Sequence, residues 1–179
     1  MVDPLVARRW SYRGLYLLLA LTVFFFKLLP VTPMPRGVPG PDLMLCLTFV
    51  WVLRRPDFLP ALFIAAVYLL EDLLFLRPPG LWAVIVLLAC EFLRGRVILM
   101  REMSFLMEWA LVALVLIGML VLNRTVLAIA VVPQVGLGPA VAQVVLTALA
   151  YPLVVAASTR LLGVRRPVSG TIDSMGARL

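Results

Sequence analysis

Lys27, Glu71 and Asp72 stand within or at the ends of otherwise apolar runs, where an ionisable side chain is costly enough to need a partner or a function. Carboxylates in such a place can relay protons or bind a substrate, as they do in transporters, or they can close a helix end by pairing with a neighbouring cation. Asp72 lies roughly 22 Å along a helix from Asp57, and Lys27 is near the far end of its own run, so the two depths match. Lys27 is therefore expected to pair with Glu71 or Asp72, because a paired charge avoids most of the penalty of a lone one. The pair lies off the midplane where transporter sites gather. That favours a helix-end pair reaching the interface or a partner subunit over a transport carboxylate.

The remaining polar groups offer little for catalysis. Glu91, three residues before Arg94 on the same helical face, reads as an ion pair at the opposite interface, with Glu102 and Glu108 at the same level. Asn123 with Arg124 reads as a helix terminus. The chain has no histidine, which removes the commonest general base and zinc ligand. Cys46 and Cys90 both fall inside apolar runs and read as small buried hydrophobes. No Gly-rich phosphate loop, HExxH or GxSxG pattern occurs, so neither an enzyme nor a cofactor is expected. A converging set of Glu71, Asp72 and Glu91 would be needed for intramembrane catalysis, and Glu91 is expected near the opposite face.

The elements that must position these groups follow from composition. Of 179 residues, 64% are hydrophobic and 14% charged, with a mean hydropathy of +1.10. A soluble domain is about half apolar and a quarter charged, so the excess belongs in lipid. Apolar runs separated by short charged or Pro/Gly-rich joints predict an all-α integral membrane protein with six transmembrane helices. These cover about 12–31, 42–54, 57–76, 80–94, 103–123 and 139–162, within one domain spanning 1–166. The first run follows a basic start but lacks a clear cleavage site, so it reads as a retained span. The second is short, and reads as a partly shielded helix or a re-entrant segment. Pro33, Pro35, Pro39 and Pro41 predict an ordered turn before it. The segment 123–138 either prolongs the fifth helix or lies on the surface, and 167–179 reads as a flexible cytoplasmic tail.

Arginine placement supports this count. Arg8, Arg9, Arg13, Arg54, Arg55, Arg94, Arg96, Arg101, Arg160, Arg165, Arg166 and Arg178 fall on one side of an alternating chain, and only Arg36, Arg77 and Arg124 on the other. The positive-inside rule puts the larger set, and both termini, in the cytoplasm. The same placement argues against nucleic acid as the partner behind the net charge of +7, since the arginines are dispersed among joints facing an anionic leaflet. Trp10, Trp51, Trp82 and Trp109 lie close to helix ends, as interfacial rings do. Gly136, Gly138, Ala140 and Ala142 form a small-residue strip that either allows close helix contact or is a plain joint.

Several short signatures punctuate the apolar sequence: Pro41-Asp42-Leu43 opening the second span, Trp51 followed by Arg54-Arg55-Pro56, Asp72-Leu73-Leu74 in the third, and Pro78-Pro79-Gly80-Leu81 opening the fourth. With the basic start, the Pro-rich turn and the overall length, these resemble the MreD family of bacterial rod shape-determining membrane proteins over residues 8–166. Glu71 departs from that pattern, since an apolar or small residue is expected before Asp72, and which carboxylate takes the family's role stays open. The resemblance implies a non-enzymatic component of the cell-elongation complex in the bacterial inner membrane. MreC would be its closest partner, with MreB, RodA and a class B penicillin-binding protein nearby, and Lys27, Pro41, Asp42, Arg55, Pro56, Glu71, Asp72, Pro78 and Gly80 would be its structural and interaction residues. The family is also similar to the substrate-binding subunits of energy-coupling-factor transporters, six-helix bundles with short helices. The competing expectation is therefore a vitamin-type carrier subunit, against which stands the scarcity of polar residues deep enough to line a pocket.

Overall fold

The computed structural model describes residues 4–29, 39–101 and 104–161, and every regular element among them is helical. Each of the six apolar runs carries a helix, with differences at the ends. The first helix, α1 (Pro4–Leu28), starts at residue 4 rather than 12, so Arg8, Arg9 and Arg13 ride on it. Arginine is a good helix former and Gly14 is a single weak interruption, so the basic start continues the helix. Of the proline-rich turn, Pro39 to Pro41 are described and non-helical, while Pro33, Pro35 and Arg36 lie outside the described residues.

The second helix, α2 (Leu43–Arg54), is capped by Asp42, whose carboxylate accepts the Leu45 N–H. It ends at Arg54 because Pro56 pushes the residue before it out of the helical region. Every residue from Met44 to Arg54 is buried, with Trp51, Phe49 and Met44 fully enclosed. A helix wrapped in protein need not match a lipid thickness, which accounts for its 12 residues. Trp51 is consequently a core side chain and not an interfacial one, whereas Trp10 remains well exposed.

A 3-10 turn, Pro56–Phe58, and an extended Pro60 precede α3 (Ala61–Leu74), so the expected start at 57 moves to 61. A proline inside the helix would forfeit a hydrogen bond and clash with the preceding turn. Leu76, at a φ of 51°, turns the chain out of α3, and the Arg77 N–H reaches back to the Asp72 carbonyl at 3.0 Å. The fourth helix, α4 (Leu81–Arg94), begins at Gly80, where a φ of 86° suits glycine, and is followed by a short α5 (Val97–Arg101) in a joint expected to be a loop.

The helix α6 (Phe105–Ile129) runs past Asn123 and Arg124, correcting their reading as a terminus. No glycine or proline interrupts there, and the helix stops only where Val131 takes a φ of 54° and the Val132 N–H bonds the Leu127 carbonyl. The last helix is α7 (Leu137–Leu161), with Pro152 inside it. The two glycines of its small-residue strip are not close-packed against another helix: a Cβ at Gly138 would meet nothing within 4 Å, and at Gly136 only Pro139. Glu102 and the tail from 162 lie outside the described residues.

Successive long helices run in opposite directions, which gathers their ends into two groups. At one end Lys27 of α1 meets Asp42 before α2 and Glu71 of α3, and Asp72 meets Gly80 and Ala83 of α4. At the other, Arg13 donates to the Phe58 carbonyl, Arg94 donates to the Leu59 carbonyl, and Arg54 faces Glu108 of α6. Around α2 pack α1, α4 and α7, with α3 against α1 and α4, and α6 against α4 and α7. The outer surface is studded with exposed leucine, isoleucine, phenylalanine and valine, including Leu18, Phe25, Leu62, Leu114 and Leu153. Three helical stretches, Arg8–Leu28, Phe105–Ile129 and Leu137–Leu161, are long and apolar enough to cross a membrane. An apolar exterior of this extent suits lipid better than water.

Candidate functional site

The charges singled out in the sequence converge at the first of these ends. Lys27 Nζ lies 2.9 Å from Glu71 Oε1 and 3.2 Å from Asp42 Oδ1. Both carboxyl groups are buried, while the lysine keeps 28% of its side chain exposed. Of the two alternatives for its partner, Lys27 thus takes Glu71 and adds Asp42. Arg77 stands 4.0 Å from the same Glu71 oxygen, and the Phe75 ring has Lys27 on one approach and Arg77 on another. Asp42 does three jobs: it caps α2, binds Lys27, and through its backbone N–H bonds the Thr147 hydroxyl of α7 at 2.9 Å.

Asp72 has a different role. Its Oδ2 accepts the backbone N–H groups of Gly80 at 3.0 Å and Ala83 at 3.2 Å. A carboxylate at a helix N-terminus satisfies donors that have no intrahelical acceptor and sits in the favourable end of the dipole. The left-handed Gly80 makes this possible by turning its own N–H toward the acid. Three carboxylates therefore share the region with two side-chain cations, and the start of α4 supplies the remaining compensation. Glu71 Oε2 and Asp72 Oδ1 are buried without a hydrogen-bond partner among the described residues.

Beside this cluster, between the ends of α2, α4, α6 and α7, is a cleft of about 350 Å³. Its polar lining includes Asp42, Arg77, Asn123, Arg124, Gln134 and Gln143, and most of the rest is apolar. Arg124 donates to the Val135 carbonyl and Gln134 donates to the Arg124 carbonyl, both at 3.0 Å, which orders the loop over the cleft. Trp82 lines it too, with a buried indole N–H that has no hydrogen-bond partner among the described residues.

A second polar centre lies at the other end. The Tyr151 hydroxyl donates to Glu108 Oε1 at 2.6 Å, and Arg54 Nη2 is 3.7 Å from the same oxygen. Glu108 is buried, correcting its expected place at the interface. In the apolar run its partner comes from α7 and its cation from α2, neither of which is near in sequence. Glu91 and Arg94 do form an ion pair, at 2.8 Å on the surface, and Glu91 does not approach Glu71 or Asp72. Between the two ends, the Thr48 hydroxyl donates to the Met44 carbonyl, leaving its oxygen to accept from Tyr16 at 2.7 Å and Tyr68 at 2.8 Å. Cys46 is buried and unpaired as a thiol, and donates to the Thr147 carbonyl.

The other motif residues occupy joints. Pro41 is exposed beside Lys27, Arg55 closes α2 and lies over the Phe58 ring, Pro56 opens the 3-10 turn, and Pro78 borders the cleft. Asp42 as a ligand of Lys27 was not read from the sequence, although an aspartate immediately before an apolar run is a helix-cap signal. No group of three or more His, Cys, Asp or Glu side chains able to hold a metal occurs among the described residues. Comparisons with protein-family models, with curated proteins and with solved structures find no match to this chain.

Proposed function

We propose that this chain is a six-span membrane scaffold of the MreD type, a non-enzymatic component of the bacterial cell-elongation machinery in the inner membrane. Its mechanism is binding: the bundle offers a membrane-embedded surface to MreC and thereby helps position the wall synthases, RodA and a class B penicillin-binding protein, near the MreB filament. The observation that carries the reading is where the motif residues fall. Asp42, Asp72 and Gly80 of the signatures meet Lys27 and Glu71 at one end, where α1, α2, α3 and α4 are fastened together, so these signatures serve the architecture. The arginine asymmetry supports the orientation: Arg13, Arg54, Arg55, Arg94 and Arg96 at one end face the cytoplasm, and Arg77 and Arg124 at the other face outward.

Affinity purification in mild detergent, with mass spectrometry of what copurifies, tests this. MreC is the expected partner, and loss of the protein is expected to round the cells. Recovery of paired ATPases would instead identify the carrier subunit of an energy-coupling-factor transporter. That second reading draws on one observation, the cleft beside Asp42, which is of a size that holds a small ligand.

A further inference from the structure

We infer that the cleft between α2, α4, α6 and α7 binds one glycerophospholipid through its phosphodiester, with the acyl part lying against the apolar wall. The charged side chains of the lining are Arg77, Arg124 and Asp42. Two guanidinium groups against one carboxylate leave a single positive charge, the complement of a phosphodiester monoanion. Asp42 is already engaged, its Oδ1 accepting from both Lys27 and the α2 N-terminus, so its charge is offset within the protein. Arg77 is shared with Glu71 at 4.0 Å, whereas Arg124 has no acidic partner among the described residues and spends one donor on the Val135 carbonyl. Its remaining N–H groups are free to bind phosphate oxygens in the forked geometry that arginine favours. The buried Trp82 N–H is a further donor in the lining, without an acceptor among the described residues.

The tail follows from the rest of the lining. Leu116, Leu120 and Leu127 of α6 and Val144 of α7 give the cleft an apolar side continuous with the exposed leucines and valines of the bundle surface. A free phosphate would leave that wall wet, and an uncharged lipid would leave Arg124 without a counterion. The level also fits, since the arginines stand at the end of the apolar part of the bundle, where phospholipid headgroups lie. The inference rests on the bundle being in a membrane, and it goes beyond the scaffold reading by giving the protein a ligand.

The test is native mass spectrometry of the full chain, delipidated in detergent and titrated separately with phosphatidylglycerol, with diacylglycerol of the same acyl chains, and with inorganic phosphate. Phosphatidylglycerol is expected to bind once per chain, about tenfold or more tighter than either of the others. Arg124→Gln should bring phosphatidylglycerol down to the level of diacylglycerol. Ala140→Trp, which fills the cleft from a partly exposed position, should abolish the bound lipid while leaving the fold intact by circular dichroism. Equal binding of phosphatidylglycerol and diacylglycerol, equal binding of phosphate alone, or indifference to both variants would overturn the assignment. A carbonate wash keeps the two readings apart. Loss of selectivity in a chain that stays in the membrane pellet overturns the lipid site alone, and release of the chain into the supernatant overturns the membrane reading together with it.

Discussion

The two ends of the bundle solve the problem of buried charge differently. At the Lys27 end, three carboxylates are drawn together and balanced by a lysine, an arginine and the start of α4, and the cluster fastens four helices. At the Arg54 end the buried carboxylate of Glu108 is held by the Tyr151 hydroxyl and the Arg54 guanidinium, and joins α2, α6 and α7. The first is a partly exposed network beside a cleft, and the second is a sealed knot. Both α2 and α7 contribute to each, through Asp42 at the α2 start and Thr147 at one end and Arg54 and Tyr151 at the other. The lesson is that the most enclosed helix is the post to which both sets of polar ties are made, which explains how 12 residues suffice.

The largest expected effect is at Lys27. Replacing it by methionine leaves Glu71 buried without its nearest cation, and should cost about 3 kcal/mol, read as a lower unfolding midpoint in detergent and lower membrane accumulation. Adding Glu71→Gln should restore most of the loss, while adding Asp72→Asn should not, because Asp72 serves α4. Rescue by the Asp72 change alone would exchange the roles assigned to the two acids. At the opposite end, Glu108→Ala strands both Tyr151 and Arg54 and should cost about 2 kcal/mol in the same assay. Glu108→Gln should cost less, since its amide oxygen still accepts from Tyr151. If both changes at Glu108 were silent, the sealed knot would have no energetic reality.

Smaller effects sharpen the picture. Asp72→Ala removes the cap of α4 and should cost about 1 kcal/mol, without altering the response to Lys27→Met. Val131→Gly should raise stability by about 0.5 kcal/mol, because a β-branched residue is strained at a φ of 54° and glycine is not, less the extra freedom that glycine gains when unfolded. A fall in stability there would mean that the Val131 side chain is held by contacts that outweigh the strain.

Much of this arrangement was legible in the sequence where the signal is local or one-dimensional. Apolar run lengths located the helices, and equal depth placed Lys27 with the acids of α3. The ends were less legible, since Pro60 delays α3 within a run that is already apolar at Phe58, and Leu76 and Val131 stop helices in a conformation usually marked by glycine. Glu108 was misplaced because depth along one helix says nothing of what the next helix presents, and Tyr151 and Arg54 reach it only after folding. Sequence also could not show the cleft, whose lining comes from four helices and the loop at 133–135. Asp42 is the instructive case: its cap was readable, but its bond to Lys27 requires α1 and α2 to meet.

The proposed orientation puts the two ends in opposite compartments, with the arginine-rich end in the cytoplasm. Alkaline phosphatase fusions at Gly80 and after Arg101, active only when exported, test it most directly. Activity at Gly80 and none after Arg101 is the predicted result. Activity after Arg101, or silence at Gly80 in a fusion that accumulates, would rule out this orientation.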